Sequence, residues 1–227
     1  MMLRGIPVMF RRYSRSESRA IEIIEMLIGV IEAGDENLDG HSLHVHNLSM
    51  LLYDHLPFSY RIRINANDLE YASLLIDIGK LGVSRRVLGK SGKLGAEEWE
   101  LMKRHPEIGV KILGSVPYFD RISGWVLYHH ERVDGNGYYK LQGDQIPLAS
   151  RLMAVADTFS AITMARSYKP SYANEEAISE LKLVAGTQLD AKLVDIFCNI
   201  PMNRITACME DVKKRMERYS DERFRED

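Results

Sequence analysis

The sequence predicts an all-α fold, from two observations. Apolar residues recur at three- and four-residue spacing in segment after segment, and glycine, proline and capping residues fall between those segments rather than within them. Residues 1–15 are basic and aperiodic; Ser16 then precedes a first amphipathic helix carrying Ala20, Ile23, Ile24, Leu27, Ile28 and Ile31. It is expected to stop near Gly34, where Gly34-Asp35-Glu36-Asn37 and Asp39-Gly40 have loop chemistry, and a second helix is expected from about His41. A third, from Asn67 to about Lys80 behind a cap at Asn65 or Asn67, carries Leu69, Ala72, Leu75 and Ile76 and should end at Gly79 and Gly82. Ala96–Arg104, Gly109–Leu113 and Ile122–His130 follow, separated by His105-Pro106 and Val116-Pro117. After Gly135-Asn136-Gly137, helical patterns resume over Pro147–Thr163, Glu175–Ala185 and from Ala191 on, and Cys208–Tyr219 reads as an exposed, highly charged terminal helix.

The 227 residues, 45% apolar, suffice for one large domain or two small ones. Thirty basic and 32 acidic residues give a net charge of -2, without the Lys/Arg excess of a general nucleic-acid or membrane-surface binder. Phosphate recognition should therefore be local, within a pocket. Cys198 and Cys208 form no CxxC pair, which argues against a disulfide framework or a thiolate zinc site and fits a reducing cytosol. No run approaches the ~20 apolar residues needed to cross a bilayer. The expectation is a soluble, cytoplasmic protein.

The segment richest in chemistry is His129-His130-Glu131-Arg132-Val133-Asp134-Gly135-Asn136-Gly137-Tyr138. Adjacent imidazoles beside acidic and basic groups suit metal-supported chemistry on an anion. His41 and His105 also lie at helix ends or turns, and Asp77 and Asp157 interrupt apolar helical stretches, where an unpaired carboxylate is costly and a cation offsets its desolvation. Taken singly, such residues are more often surface or hydrogen-bonded core groups; their joint order points to ligands. Imidazole with carboxylate suits iron, manganese, zinc or nickel, and one bridging Asp can hold two ions.

In that order the chain resembles an HD-GYP domain, a subgroup of HD-type metal phosphohydrolases associated with cyclic di-GMP hydrolysis, over roughly residues 20 to 200. The landmarks are Asp39-Gly40-His41-Ser42, Asp77-Ile78-Gly79-Lys80-Leu81-Gly82-Val83, His105-Pro106-Glu107-Ile108-Gly109 and the His129–Tyr138 segment. Ile146-Pro147-Leu148-Ala149, Ala154-Val155-Ala156-Asp157 and Gly186-Thr187-Gln188-Leu189-Asp190 continue them. The resemblance implies an HD-type helical bundle with an irregular GYP-like loop, flanked by an extension over 1–19 and a helical tail over 201–227. It implies two divalent ions, iron or manganese, held by His41, Asp77, His105, His129, His130 and Asp157, with Asp77 bridging. It also implies substrate contacts from Lys80, Tyr138, Arg166 and Lys169. Arg132 is expected to pair with Glu131 or Asp134 and hold the loop.

Three departures stand out. Ile76 occupies the place of the family's namesake histidine, leaving His41, Asp77 and Asp157 for the first ion and His105, His129, His130 and Asp77 for the second. Tyr139 replaces the proline that ends the signature loop, and the segment before Gly143 is one residue short. Asn37 stands near the place where three-metal relatives have a carboxylate, so two ions are the expected maximum. His44, one turn beyond His41, shares its helix face, but fixed helix geometry argues against its replacing a ligand from another helix, and His46 and His55 read as surface or packing groups.

These features make a metal-dependent cyclic di-GMP phosphodiesterase the leading expectation, with Asp77 and Lys80 at its catalytic centre. A degenerate domain that binds cyclic di-GMP or a protein without turnover is the alternative, and hydrolysis of another phosphodiester a third reading. The expected partners are cyclic di-GMP, a regulatory protein and a second copy of the chain.

Overall fold

The computed structural model describes Ile24, Ile28 and residues 40–90, 92–164 and 172–223, with side chains as far as Glu217. Helix α1 (His41–His55) runs through the middle of the fold. Val45, Leu48 and Leu52 on it have no exposed surface, and burial of this kind stabilises by about 1.5–3 kcal/mol per side chain. Around it lie α2 (Phe58–Arg61), α3 (Ala66–Leu74), a 3₁₀ turn (Ile78–Gly82), α4 (Arg85–Leu88), α5 (Ala96–Met102), α6 (His105–Leu113) and α7 (Asp120–Leu127). Then come α8 (Leu148–Thr163), α9 (Asn174–Val184), α10 (Ala191–Cys198) and α11 (Met202–Arg223), with short 3₁₀ turns at Pro117–Phe119 and Gly143–Gln145. Helices α3, α8, α10 and α11 pack directly on α1, and α6 packs on both the Ile78–Gly82 turn and α7. No β-strand occurs among the described residues, only isolated bridges such as Asp134 with Gln142. The all-α expectation holds.

Of the expected first helix only Ile24 and Ile28 are described, and both are helical and buried. Helix α1 starts at His41 as expected. Its N-cap, Gly40, has φ +75°, and a Cβ there would lie 2.5 Å from Val212 Cγ1, so both backbone conformation and the approach of α11 require glycine. Asn65, not Asn67, caps α3: its Oδ1 accepts from Asn67 N at 2.9 Å and Asp68 N at 3.2 Å. No helix among the described residues is long and apolar enough to cross a membrane.

Three expectations need correction. The single helix over Asn67–Lys80 is instead α3 ending at Leu74, followed by the Ile78–Gly82 turn. Leu74, Leu75, Ile76 and Ile78 are all buried, and a fully buried segment loses the one-sided periodicity that marks where a helix stops. His105-Pro106 does not separate helices but opens α6, where proline in the first turn forfeits no helical hydrogen bond. The terminal helix is longer than Cys208–Tyr219 and is not exposed on its inner face. Ile205 and Val212, a heptad apart, are buried, and Asn47 on α1 donates Nδ2 to Cys208 O and Asp211 Oδ2, both at 3.1 Å.

Candidate metal centre

Asp77 is placed by the break between α3 and the 3₁₀ turn. Ile76, 1% exposed, anchors the chain in the core, and Asp77 follows at φ -106°, ψ 11° as N-cap of the turn. Gly79 then lies against α6: a Cβ on it would be 1.8 Å from His105 O and 2.5 Å from Gly109 N. The bare backbone at Gly79 therefore sets how closely α6 brings His105 to Asp77.

The carboxylate of Asp77 faces two sides. Oδ1 lies 3.4 Å from His105 Nε2, whereas Oδ2 lies 2.8 Å from Lys80 Nζ and 3.9 Å from His41 Nε2. On the first side, Asp77, His105, His129 and His130 each offer a ligand atom within 4.8 Å of the others. The second side is completed by Asp157, whose Oδ1 accepts from His41 Nε2 at 3.0 Å. Of the six positions implied by the resemblance, Asp77, His105, His129 and His130 form one cluster, His41 lies on the other side of Asp77 with Asp157 beside it, and Lys80 joins them. Tyr138 stacks at a tilt on His130, with ring centroids 4.9 Å apart. Arg166, Lys169 and Asn37 lie outside the described residues.

His44 does not turn to the place beside Ile76 by any bond to the cluster. Its Nδ1 pairs with Ser160 Oγ at 3.0 Å, the same hydroxyl that lies 2.9 Å from His41 Nδ1, and its ring packs near Phe159. His46 pairs with Ser73 Oγ and His55 with Leu51 O, both local packing roles.

Charge and donor orientation suit cations at this centre. His105 and His129 donate from Nδ1 to Met102 O at 2.8 Å and Val126 O at 2.5 Å. With Nδ1 so engaged, Nε2 is the nitrogen each ring turns to the centre, and the two Nε2 atoms lie 3.3 Å apart. Burial lowers His105 to about 4 and His130 well below its ordinary value, so both imidazoles are neutral and able to ligate. Burial by itself would raise Asp77, but Lys80, with smaller contributions from the surrounding histidines, holds it well below the carboxylate range. Burial likewise opposes ionisation of Asp157, and the hydrogen bond and charge of His41, with a smaller contribution from His130, together outweigh it and hold the carboxyl low.

Buried neutral histidines also dictate how the metal-free protein responds to acid. Burial, reinforced by His41, takes His44 down to about 3, and burial takes His105 to about 4. Because the unfolded chain binds these protons at pH 6.5 and the folded chain does not, stability falls as pH drops below 6.5 and continues to fall toward 4. At pH 5 each histidine should cost about 2 kcal/mol. Urea denaturation of chelator-treated protein at pH 7.5 and pH 5 measures this; equal stabilities would contradict it.

The loop after His130 is held by a residue whose role the sequence left open. Glu131, 4% exposed, accepts from Tyr139 N and Leu141 N, one amide on each carboxylate oxygen at 2.6 Å. Lys140 between them has φ +62°, which turns both amides to the same anion as a small backbone nest. Arg132 takes the other of its two expected partners: Nε and Nη2 bind Asp134 at 3.1 and 2.7 Å, and Nη1 donates to Gln188. Burial, with the charge of neighbouring carboxylates, raises Tyr138, so its hydroxyl stays protonated and able to donate. Glu131→Gln replaces one acceptor by a donor facing an amide. It should cost about 1.5–3 kcal/mol in urea denaturation and speed hydrogen exchange at Tyr139 and Leu141; unchanged exchange would contradict the anchor.

A cavity of about 350 Å³ opens beside His129, His130 and Asp157, and Trp99, Arg132, Tyr138 and Gln188 also line it. Trp99 was missed from the sequence; its only signal there is an indole among Glu97, Glu98 and Glu100.

The HD domain family matches residues 26–193, most of the chain and every cluster residue. The chain belongs to the HD domain family. Among curated relatives, this HD domain is 37% identical over 183 residues to the cyclic di-GMP phosphodiesterase response regulator RpfG of Xanthomonas campestris (79% of this chain, 47% of the relative). It is 32% identical to a cyclic di-GMP phosphodiesterase of Thermotoga maritima (83% and 51%), and 35% identical to 3'3'-cGAMP-specific phosphodiesterase 2 of Vibrio cholerae (77% and 34%). The HD domain thus spans a third to a half of the length of these relatives. A cyclic GMP-AMP specific phosphodiesterase of V. cholerae shares the fold with TM-score 0.61 at 19% identity, covering 86% of this chain and 53% of that one.

Proposed function

We propose that this HD domain is of the HD-GYP type, occupies residues 20–200, and hydrolyses cyclic di-GMP to the linear dinucleotide and onward to GMP. The observation that carries the reading is the two-sided carboxylate of Asp77, with His105 on Oδ1 and Lys80 and His41 on Oδ2. Curated relatives named for cyclic di-GMP or 3'3'-cGAMP support a cyclic dinucleotide as substrate.

In this reading His105, His129, His130 and Asp77 would hold one divalent ion, and His41, Asp157 and Asp77 would hold a second. Such ions, iron or manganese, supply activation of water and neutralisation of charge on the phosphate. The chain's own residues do the rest. Lys80, 14% exposed at its side chain and 2.8 Å from Asp77 Oδ2, is the cation placed to meet a phosphate oxygen or the leaving oxygen. Tyr138, kept protonated, offers a hydrogen-bond donor at the cavity wall. Arg166 and Lys169 are assigned to the outer phosphate on resemblance alone.

Ile76 favours one competing reading. An aliphatic side chain beside Asp77, in place of the histidine implied by the resemblance, weakens the first ion's site, which suits a receptor that binds cyclic di-GMP without turnover. Calorimetric titration with cyclic di-GMP, with and without chelator, separates the two. The phosphodiesterase reading predicts turnover that the chelator abolishes; saturable binding that survives chelation, with no product before it, would replace it by the receptor.

A further inference from the structure

We propose that the indole of Trp99 is the stacking surface for a purine base of the substrate in the cavity beside His129, His130 and Asp157. The inference rests on the cyclic dinucleotide reading above and adds a substrate-binding residue to it. Trp99 lies on α5, a helix that buries none of its residues, so the indole is not there as core. Its surface is 47% exposed, yet it lines the same cavity as His129, His130 and Asp157.

A row of rings links it to the metal centre. Trp99 meets Tyr138 nearly perpendicular, 87° at 6.4 Å between centroids, and Tyr138 in turn lies 4.9 Å from His130. Contact with Tyr138 restrains the indole while almost half of its surface remains open to a ligand. The cavity volume of about 350 Å³ is at the small end of ligand pockets, roughly 300–1,000 Å³. A phosphate and its ribose beside His129, His130 and Asp157 would take up much of that space and leave the attached base toward Trp99, an exposed ring of the lining. Purine faces stack on exposed indoles without needing a hydrogen-bond code.

Only two tryptophans are present, and the other provides a control: Trp125 is half-buried against the core, with its carbonyl accepting from Ser150 Oγ at 2.9 Å. The experiment uses Mn(II)-loaded full chain. Trp99→Ala should raise KM for cyclic di-GMP about 5- to 140-fold, the equivalent of roughly 1–3 kcal/mol of base stacking. Its kcat should change little, and its bound manganese should equal that of the unsubstituted protein. Trp99→Phe should recover most of the loss. In a Trp125→Phe background, GMP should quench the remaining fluorescence saturably. Turnover by the unsubstituted protein with KM unchanged in Trp99→Ala, or no quenching by GMP, overturns the stacking role and leaves the phosphodiesterase reading standing. Absence of both turnover and cyclic di-GMP binding in the unsubstituted protein overturns both.

Discussion

Asp77→Asn should sharply reduce turnover and strip the protein of tightly held metal without changing side-chain volume in the core. The amide has nearly the volume of the carboxylate, so the buried site between Ile76 and Ile78 does not have to repack. What changes is charge and donor pattern. Oδ1 and Oδ2 are the atoms that face His105 on one side and Lys80 with His41 on the other, and an amide offers one oxygen in place of two. It also removes the anion that offsets Lys80 in a buried pair, 14% and 7% exposed at their side chains. Loss of the charge that faces both sides of the cluster should lower kcat about 10³-fold or more. Steady-state rates with Mn(II), together with metal analysis of gel-filtered protein, check this. Full metal retention in Asp77→Asn would show that Asp77 is a neighbour of the ligand set rather than its bridge.

Gly79→Ala should damage the same centre without touching a ligand. A Cβ at this position would stand 1.8 Å from His105 O and 2.8 Å from His105 C. Both are backbone atoms at the first residue of α6, so no rotamer change relieves the contact. The Ile78–Gly82 turn and α6 must separate, and His105 must leave Asp77 Oδ1. Overpacking of this kind costs about 1–3 kcal/mol, and the displacement should lower metal affinity by at least the ~10- to 100-fold seen when residues supporting ligands are removed. Urea denaturation and Mn(II) titration of the variant measure the two effects separately. Unchanged affinity would mean that the close backbone approach at Gly79 does not position His105.

How much of this was legible in the sequence depended on whether the signal was local. Helix α1 beginning at His41 followed from Asp39-Gly40 and the apolar pattern behind it, and the ordered His and Asp motifs named the residues that converge on Asp77. The break after Leu74 was not legible, because Leu74, Leu75, Ile76 and Ile78 are buried on all sides and apolar periodicity then carries no information about where the helix stops. The docking of α11 was masked by its charge: Ile205 and Val212 are few among many charged neighbours, and the residues that α11 meets are distant in sequence, some 160 positions in the case of Asn47 and Cys208. Glu131 was visible only as a charge beside Arg132. Its role in gathering Tyr139 N and Leu141 N depends on the positive φ of Lys140, a conformation that lysine's chemistry does not announce. The exposure of Trp99 beside the cavity is likewise a tertiary fact.

The most direct test of the account is product analysis. Purified chain loaded anaerobically with Fe(II) or Mn(II), its metal content measured, is incubated with cyclic di-GMP, and linear dinucleotide and GMP are separated chromatographically. The account predicts linear dinucleotide appearing first, GMP after it, and far less of either with Asp77→Asn. Metal-loaded protein that forms no product would contradict it.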